Sequence, residues 1–155
     1  MEELPRDIKS MFKILGHMHE SLSFNRLLGL KVVHLEPNRT ECYFAMKKEF
    51  IGNPIKGILH GGVISAALDA VGGMNASASA LEKMKELSFE EIGDRISRMG
   101  TVDLRIDYLR PGRGEKFIAS STIMRSGSKI AVTRMELKNE KDILIATGTG
   151  AYLVG

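Results

Sequence analysis

The chain has a single cysteine, no tryptophan, only 6% aromatic residues and a net charge of just +3. A lone Cys42 excludes an intrachain disulfide and a cysteine-rich zinc site, which makes a reducing compartment the expectation. So small a charge does not call for nucleic acid, and the basic residues are mixed with acidic ones without interleaved aromatics. No nucleic-acid partner is expected, although the slight positive balance would suit phosphates. A long uncharged apolar run is missing too. Residues 61–81 come nearest, but Asp69 sits at their centre among Ser, Asn and Gly, so no membrane-spanning helix is expected. The opening MEELPRDIKSMFKILGHM starts acidic and has no long apolar core, which does not read as a signal peptide. A soluble, cytoplasmic protein is predicted. There is no internal repeat, low-complexity segment or interdomain linker. The 155 residues, 43% hydrophobic and 26% charged, read as one domain, 1–155.

What is present changes its period along the chain. Ile8, Met11, Phe12, Leu15 and Met18 have helical spacing and predict a helix over 6–20, followed by a turn at 24–28 closed by Gly29. Residues 1–28 thus form a helical extension. KVVHLEP and RTECYFAMK read as two strands around Pro37-Asn38. Cys42, Phe44 and Met46 share a face there, so Cys42 is a small core residue rather than a nucleophile. A loop through Asn53-Pro54 leads to a central helix over 60–81. Ser88 and Glu91 have capping-box spacing and predict a short exposed helix at 88–98. In TVDLRIDYLRPG, Val102, Leu104, Ile106 and Tyr108 alternate with Thr101, Asp103, Arg105 and Asp107, as in a half-buried strand. Three further strands follow. The expected class is α+β, with two strands, one buried helix and then four strands in an antiparallel meander.

The central helix is unusual. On a wheel, Ile64, Ala67, Leu68, Val71 and Asn75 fall on one side, suited to a sheet. Gly62, Ala66, Asp69, Gly73, Ala76 and Ala80 fall on the other. Tight helix packing with a solvated acid is the plain explanation. Against it, each helical Gly costs about 1 kcal/mol relative to Ala, and this helix holds two Gly-Gly pairs. The first amides of a helix lack internal partners and sit at its positive end. With Gly61 and Gly62 there, they could hold a carbonyl oxygen as it becomes an oxyanion, with Asp69 as nucleophile or general base. Eight residues separate Gly61 from Asp69, about 12 Å of helix at ~1.5 Å per residue. One helix cannot bring both to one carbon; two antiparallel copies could.

The segment LHGGVISAALD, with Asp69 nine residues after His60, and the strand TVDLRIDYLRPG resemble the hotdog-fold acyl-CoA thioesterases of the phenylacetyl-CoA thioesterase type. The likeness runs from about residue 25 to the end, apart from an 82–99 insertion. It implies a hotdog fold, an antiparallel sheet wrapped around one long helix, in homodimers with a continuous sheet or in homotetramers. It also implies hydrolysis of an acyl-CoA to a carboxylic acid and free coenzyme A. By position, Gly61 would polarise the thioester carbonyl and Asp69 of the opposing subunit would be nucleophile or base. Thr101 matches a Ser or Thr that positions the attacking water. Asn53 resembles an Asn that orients water or substrate, although it precedes His60 by seven residues where the relatives have six. His60 would order the loop at the helix start. Gly62 and Ser65, on the first turn, are candidate substrate contacts.

Two basic groups could meet the nucleotide phosphates: Arg105, Arg110, Arg113 and Lys116 around RPGRG, and Arg125 and Lys129 around Ser126-Gly127. Solvated surface charge explains them as simply. His17, His19 and His34 form no metal-ligand pattern, and no zinc motif, phosphate loop or dinucleotide fingerprint is present, so no metal and no cofactor are expected. With few aromatics and many Met and Ala residues, an aliphatic acyl chain of medium length suits the lining. Two other functions stay open: a non-catalytic acyl-CoA or lipid-binding module, and a hotdog hydratase or dehydratase using His60 with Asp69.

Overall fold

The computed structural model describes residues 7–155. Helix α1 (Ile8–Ser21) begins at Asp7, whose carboxylate accepts the Ser10 amide at 3.0 Å. It matches the expected 6–20 segment, of which residue 6 lies outside the described residues. The short α2 (Ser23–Leu28) stops at Gly29, whose φ of 72° is left-handed and strained for any side chain. Strands β1 (Lys31–Leu35) and β2 (Arg39–Ala45) form the expected hairpin. A 3-10 turn at Lys48–Phe50 then leads into a two-stranded ladder, β3 (Ile51–Asn53) with β4 (Ile58–Leu59), where the sequence predicts only a loop. The central helix is α3 (Gly61–Lys83). Ser88 and Glu91 make a full capping box on α4 (Phe89–Ser97). Strands β5 (Gly100–Tyr108), β6 (Lys116–Ser126), β7 (Ile130–Asn139) and β8 (Leu144–Leu153) complete the chain.

Six strands make one antiparallel sheet in the order β1-β2-β6-β7-β8-β5, wrapped around α3 in a hotdog fold. The four-strand meander is corrected in one respect. Strands β6, β7 and β8 form it, whereas β6 opens on β2 and β5 crosses to the far edge beside β8. Between α3 and β5, α4 packs Ile92 and Ile96 into a cluster with Tyr152 and Val154, on the side of the sheet where β5 begins. Both β1 and β5 are edge strands.

The sheet side of α3 is as the wheel predicts. Ile64, Ala67, Leu68 and Val71 are buried in a core with Cys42, Phe44, Phe117 and Leu137. Phe44 stacks on Phe117 at 5.3 Å and meets Phe50 edge-on at 6.1 Å. Burial pushes the Cys42 thiol up to about 12, which leaves it inert as a nucleophile. Asn75, fully buried, gives its amide to the Glu36 and Pro37 carbonyls and accepts from Ser121, tying the β1–β2 turn to the helix. The small-residue side divides. Ala76 and Ala80 are buried beneath α1 and α4, whereas Ala66, Asp69 and Gly73 stay partly open.

The Gly72-Gly73 pair has a packing explanation. A methyl at Gly72 would overlap both the Tyr152 hydroxyl and the Met135 sulfur, and one at Gly150 would come within 2.7 Å of the same phenol ring. Tyr152, only 3% exposed, is thus seated in a slot cut by glycines from the helix and from its own strand. Gly72→Ala gains about 1 kcal/mol of helix propensity but overpacks a rigid site at about 1–3 kcal/mol. A lower melting temperature is expected from thermal unfolding; an unchanged or higher one would refute this account of the glycine.

Candidate active site

Two groups of residues occupy opposite ends of the open half of α3. The first surrounds the helix start. His60 is the N-cap, and its Nδ1 accepts the Gly62 amide at 2.9 Å, so the ring carries its hydrogen on Nε2 when neutral. The His60 carbonyl takes the Val63 and Ile64 amides. Among the described residues this leaves the Gly61 N–H as the first-turn amide without an acceptor, at the positive end of a 23-residue helix. Gly52 packs so closely on His60 that a Cβ there would lie 2.6 Å from the His60 Cα. Tyr108 closes the other side. Its hydroxyl donates to the Gly61 carbonyl at 3.0 Å, and its ring would meet a Cβ on Gly61 at 3.3 Å.

Asp69 lies two turns further along. Thr101 Oγ1 donates to Asp69 Oδ1 at 2.9 Å, and the Tyr152 hydroxyl donates to the Asp69 carbonyl at 3.2 Å. Burial, with the Asp69 charge next in importance, holds the Tyr152 phenol well above its ordinary value, so it is neutral and acts as a donor. How Thr101 reaches Asp69 is a matter of register. By strict alternation it points outward with Asp103, Arg105 and Asp107. A β-bulge at Val102 breaks that alternation: Thr101 pairs with Tyr152, whereas Asp103 pairs with Ala151. Thr101 therefore joins Leu104, Ile106 and Tyr108 on the inner face, and Val102 is left 62% exposed.

Beside Asp69 opens a cavity of about 560 Å³. Its walls come from the small face of α3 (Ala66, Ala70, Gly73), from α1 and α2 (Met18, His19, Phe24), and from Ile96 and Met99 at the end of the 82–99 insertion. The extension and the insertion thus meet at the same cavity, which the sequence does not reveal.

The other sequence candidates fall as follows. Asn53 turns its Oδ1 onto the Ile55 and Lys56 amides at 3.1 Å each, so its oxygen serves its own loop. Ser65 bonds back to the Gly62 carbonyl at 3.1 Å. Arg110 and Arg113 reach the Leu144 and Lys56 carbonyls and flank the Gly61 end, where the Leu59 amide meets the Gly112 carbonyl. Arg125 and Lys129 line a separate groove of about 350 Å³ at the β6–β7 hairpin. That hairpin is tied to the other end of α3 by Lys83 and Ser79. The structure does not unite the two basic sets. No group of three or more metal-ligating side chains occurs among the described residues, and none of their helices is long and apolar enough to cross a membrane.

The model of the thioesterase superfamily matches residues 56–146. The medium/long-chain acyl-CoA thioesterase YigI of Escherichia coli K12 is 44% identical over 144 residues, 92% of this chain and 93% of that one. Among solved structures, a Shewanella oneidensis protein related to the thioesterase superfamily superposes with a TM-score of 0.91 at 40% identity, covering 96% of this chain and 97% of its own. One from Syntrophus aciditrophicus gives 0.83 at 38%, covering 95% and 97%.

Tyr108, Tyr152 and His19 are the neighbours that sequence reasoning missed. The two tyrosines sit in plain strand alternation, and His19 carries no motif. His19 lines the cavity and is partly exposed, yet its Nε2 is shut off from solvent with no partner among the described residues. Desolvation pulls its pKa down to about 4 from an ordinary 6.5. The unfolded chain then takes up a proton below pH 6.5 that the folded chain refuses until about pH 4. Stability from this group is complete above about 6.5 and is lost as pH falls toward 4, by at most about 3 kcal/mol. His19→Gln should flatten the unfolding free energy against pH in that window, measured by denaturant titration beside the wild type. Parallel curves would contradict a buried neutral imidazole.

Proposed function

Since the chain belongs to the thioesterase superfamily, we propose that it hydrolyses acyl-CoA thioesters to a carboxylic acid and coenzyme A. The observation that carries this reading is the Asp69 carboxylate, held by Thr101 at the mouth of the cavity. Met, Leu, Phe and Ile side chains make that cavity a receptor for an aliphatic chain, and the Escherichia coli relative is named for medium and long ones. The free Gly61 amide supplies the second requirement, a donor for the oxygen that gains negative charge in the tetrahedral intermediate.

The two groups lie about 12 Å apart along one helix, so the reaction needs a second copy. Strand β5 suggests how. It is an unpaired edge that carries Thr101 beside Asp69 at one end and Tyr108 beside Gly61 at the other. Antiparallel pairing of two β5 edges across a two-fold axis reverses their direction and brings Gly61 of the partner subunit toward Asp69. In that homodimer, or a homotetramer built from it, Gly61 polarises the carbonyl. As general base, Asp69 takes a proton from the water that attacks the carbon; collapse of the intermediate breaks the C–S bond, and that proton passes to the coenzyme A sulfur, which leaves as the thiol. As nucleophile, Asp69 attacks the carbon itself and expels the thiolate, which takes a proton from water. A second water then hydrolyses the mixed anhydride, releasing the carboxylic acid and restoring Asp69. Arg110 and Arg113, beside the Gly61 end, are the favoured partners for the nucleotide phosphates. His60 is committed to capping through Nδ1, which weighs against its use as the acid–base group of a hydratase.

Free-thiol release should be measured over acyl-CoAs from acetyl to palmitoyl, with phenylacetyl and benzoyl. Turnover is expected to peak at medium or long aliphatic chains and to fall at least about 100-fold in Asp69→Asn. Turnover that survives the substitution would remove Asp69 from the mechanism. Binding without turnover in the wild type would favour the acyl-CoA-binding module. Sedimentation should give a dimer or tetramer; an active monomer would defeat the shared site.

A further inference from the structure

Asp69 is held at two points, and only one of them is its carboxylate. Thr101 donates to Oδ1 at 2.9 Å, while the Tyr152 hydroxyl donates to the backbone carbonyl of the same residue at 3.2 Å. The two donors are themselves direct cross-strand partners, Thr101 on β5 and Tyr152 on β8. That pairing follows from the bulge at Val102, which turns Thr101 onto the face where Tyr152 already points, so both hydroxyls meet one acid. The second hydroxyl is not a chance contact. Its ring is 3% exposed and sits where any side chain at Gly72 or Gly150 would collide with it. Gly72 follows Asp69 by three residues and so lies on the same turn of α3.

We propose that Tyr152 is a positioning residue for Asp69: its hydroxyl fixes the helical turn that carries the acid, so that the carboxylate held by Thr101 keeps one place against the substrate carbonyl. This rests on the thioesterase reading above and names a residue through which that site is set. In a regular helix the Asp69 carbonyl also receives the Gly73 amide. Gly72 and Gly73 give this turn the weakest helix propensity short of proline, so a donor from outside the helix has most effect here. The phenol touches no substrate atom in this scheme; its hydrogen bond is to the backbone carbonyl of Asp69. Misplacing a reacting group by an ångström can cost up to about 100-fold in rate, and loss of one of two anchors should cost part of that.

The test is Tyr152→Phe, which keeps the ring that fills the slot and removes only the hydroxyl. Acyl-CoA hydrolysis and amide hydrogen exchange are read on the same wild-type and variant samples, after the melting temperatures are shown to agree within a few degrees. The expected result is a kcat about ten-fold lower with KM within two-fold of wild type, and faster exchange of the Gly73 amide with no change in the C-terminal half of α3. A Tyr152 that merely packs would move none of these. An unchanged kcat overturns the proposal, whatever the exchange shows. So does a raised KM at constant kcat, which would make Tyr152 only a wall of the acyl cavity. If wild type hydrolyses no acyl-CoA, the thioesterase reading fails by itself and exchange alone decides. Faster exchange confined to the Asp69–Gly73 turn then supports the anchor, and unchanged exchange removes it.

Discussion

The distance at which α3 can lie on β8 governs the open half of the molecule, and Tyr152 against Gly72 and Gly150 sets that distance. With larger residues at either glycine the helix would have to lift from the sheet or the phenol swing out. In both cases the Asp69 turn would lose its backbone contact and the cavity one wall. Gly72 therefore trades helix propensity for a close approach, which Gly150 permits from the strand side. The rest of α3 needs no such device, because Ile64, Leu68 and Val71 press against the sheet through ordinary aliphatic packing.

Strand β5 links the two ends of the candidate site. Many edge strands are short or blunted by charge. This one carries exposed Asp103, Arg105 and Asp107, yet it runs nine residues and exposes Val102 at 62% and Tyr108 at 55%. The same strand carries one contact to each end of the candidate site. The shared site proposed above would use both ends of this edge, and the exposed Asp103, Arg105 and Asp107 lie between them.

Much of this was legible in the sequence, and the limits have physical causes. The wheel separated the buried face of α3 from the face bearing Asp69, because 3.6-residue periodicity is a local property. Cys42, Phe44 and the α4 capping box were equally local. Partner choice is not: β5 reads as a strand from its alternation, yet nothing in those nine residues says that β8 rather than β6 lies beside it. The bulge misled more seriously. Alternation placed Thr101 on the outer face, and only the likeness to known thioesterases put it near Asp69. Tyr152 and His19 were invisible for a related reason, since each matters through contacts with segments far away in sequence.

The bulge lets Thr101 face Asp69 although it lies three positions, an odd number, from Leu104. Losing Val102 would remove the bulge yet leave Thr101 opposite Tyr152 and on the inner face. Regular pairing with Val102 retained would instead set Val102 opposite Tyr152 and turn Thr101 away from Asp69 without changing either side chain. The aim of this hydroxyl is thus a property of the strand ladder as much as of the residue, and comparisons of related chains that match residues without matching ladders would miss its loss.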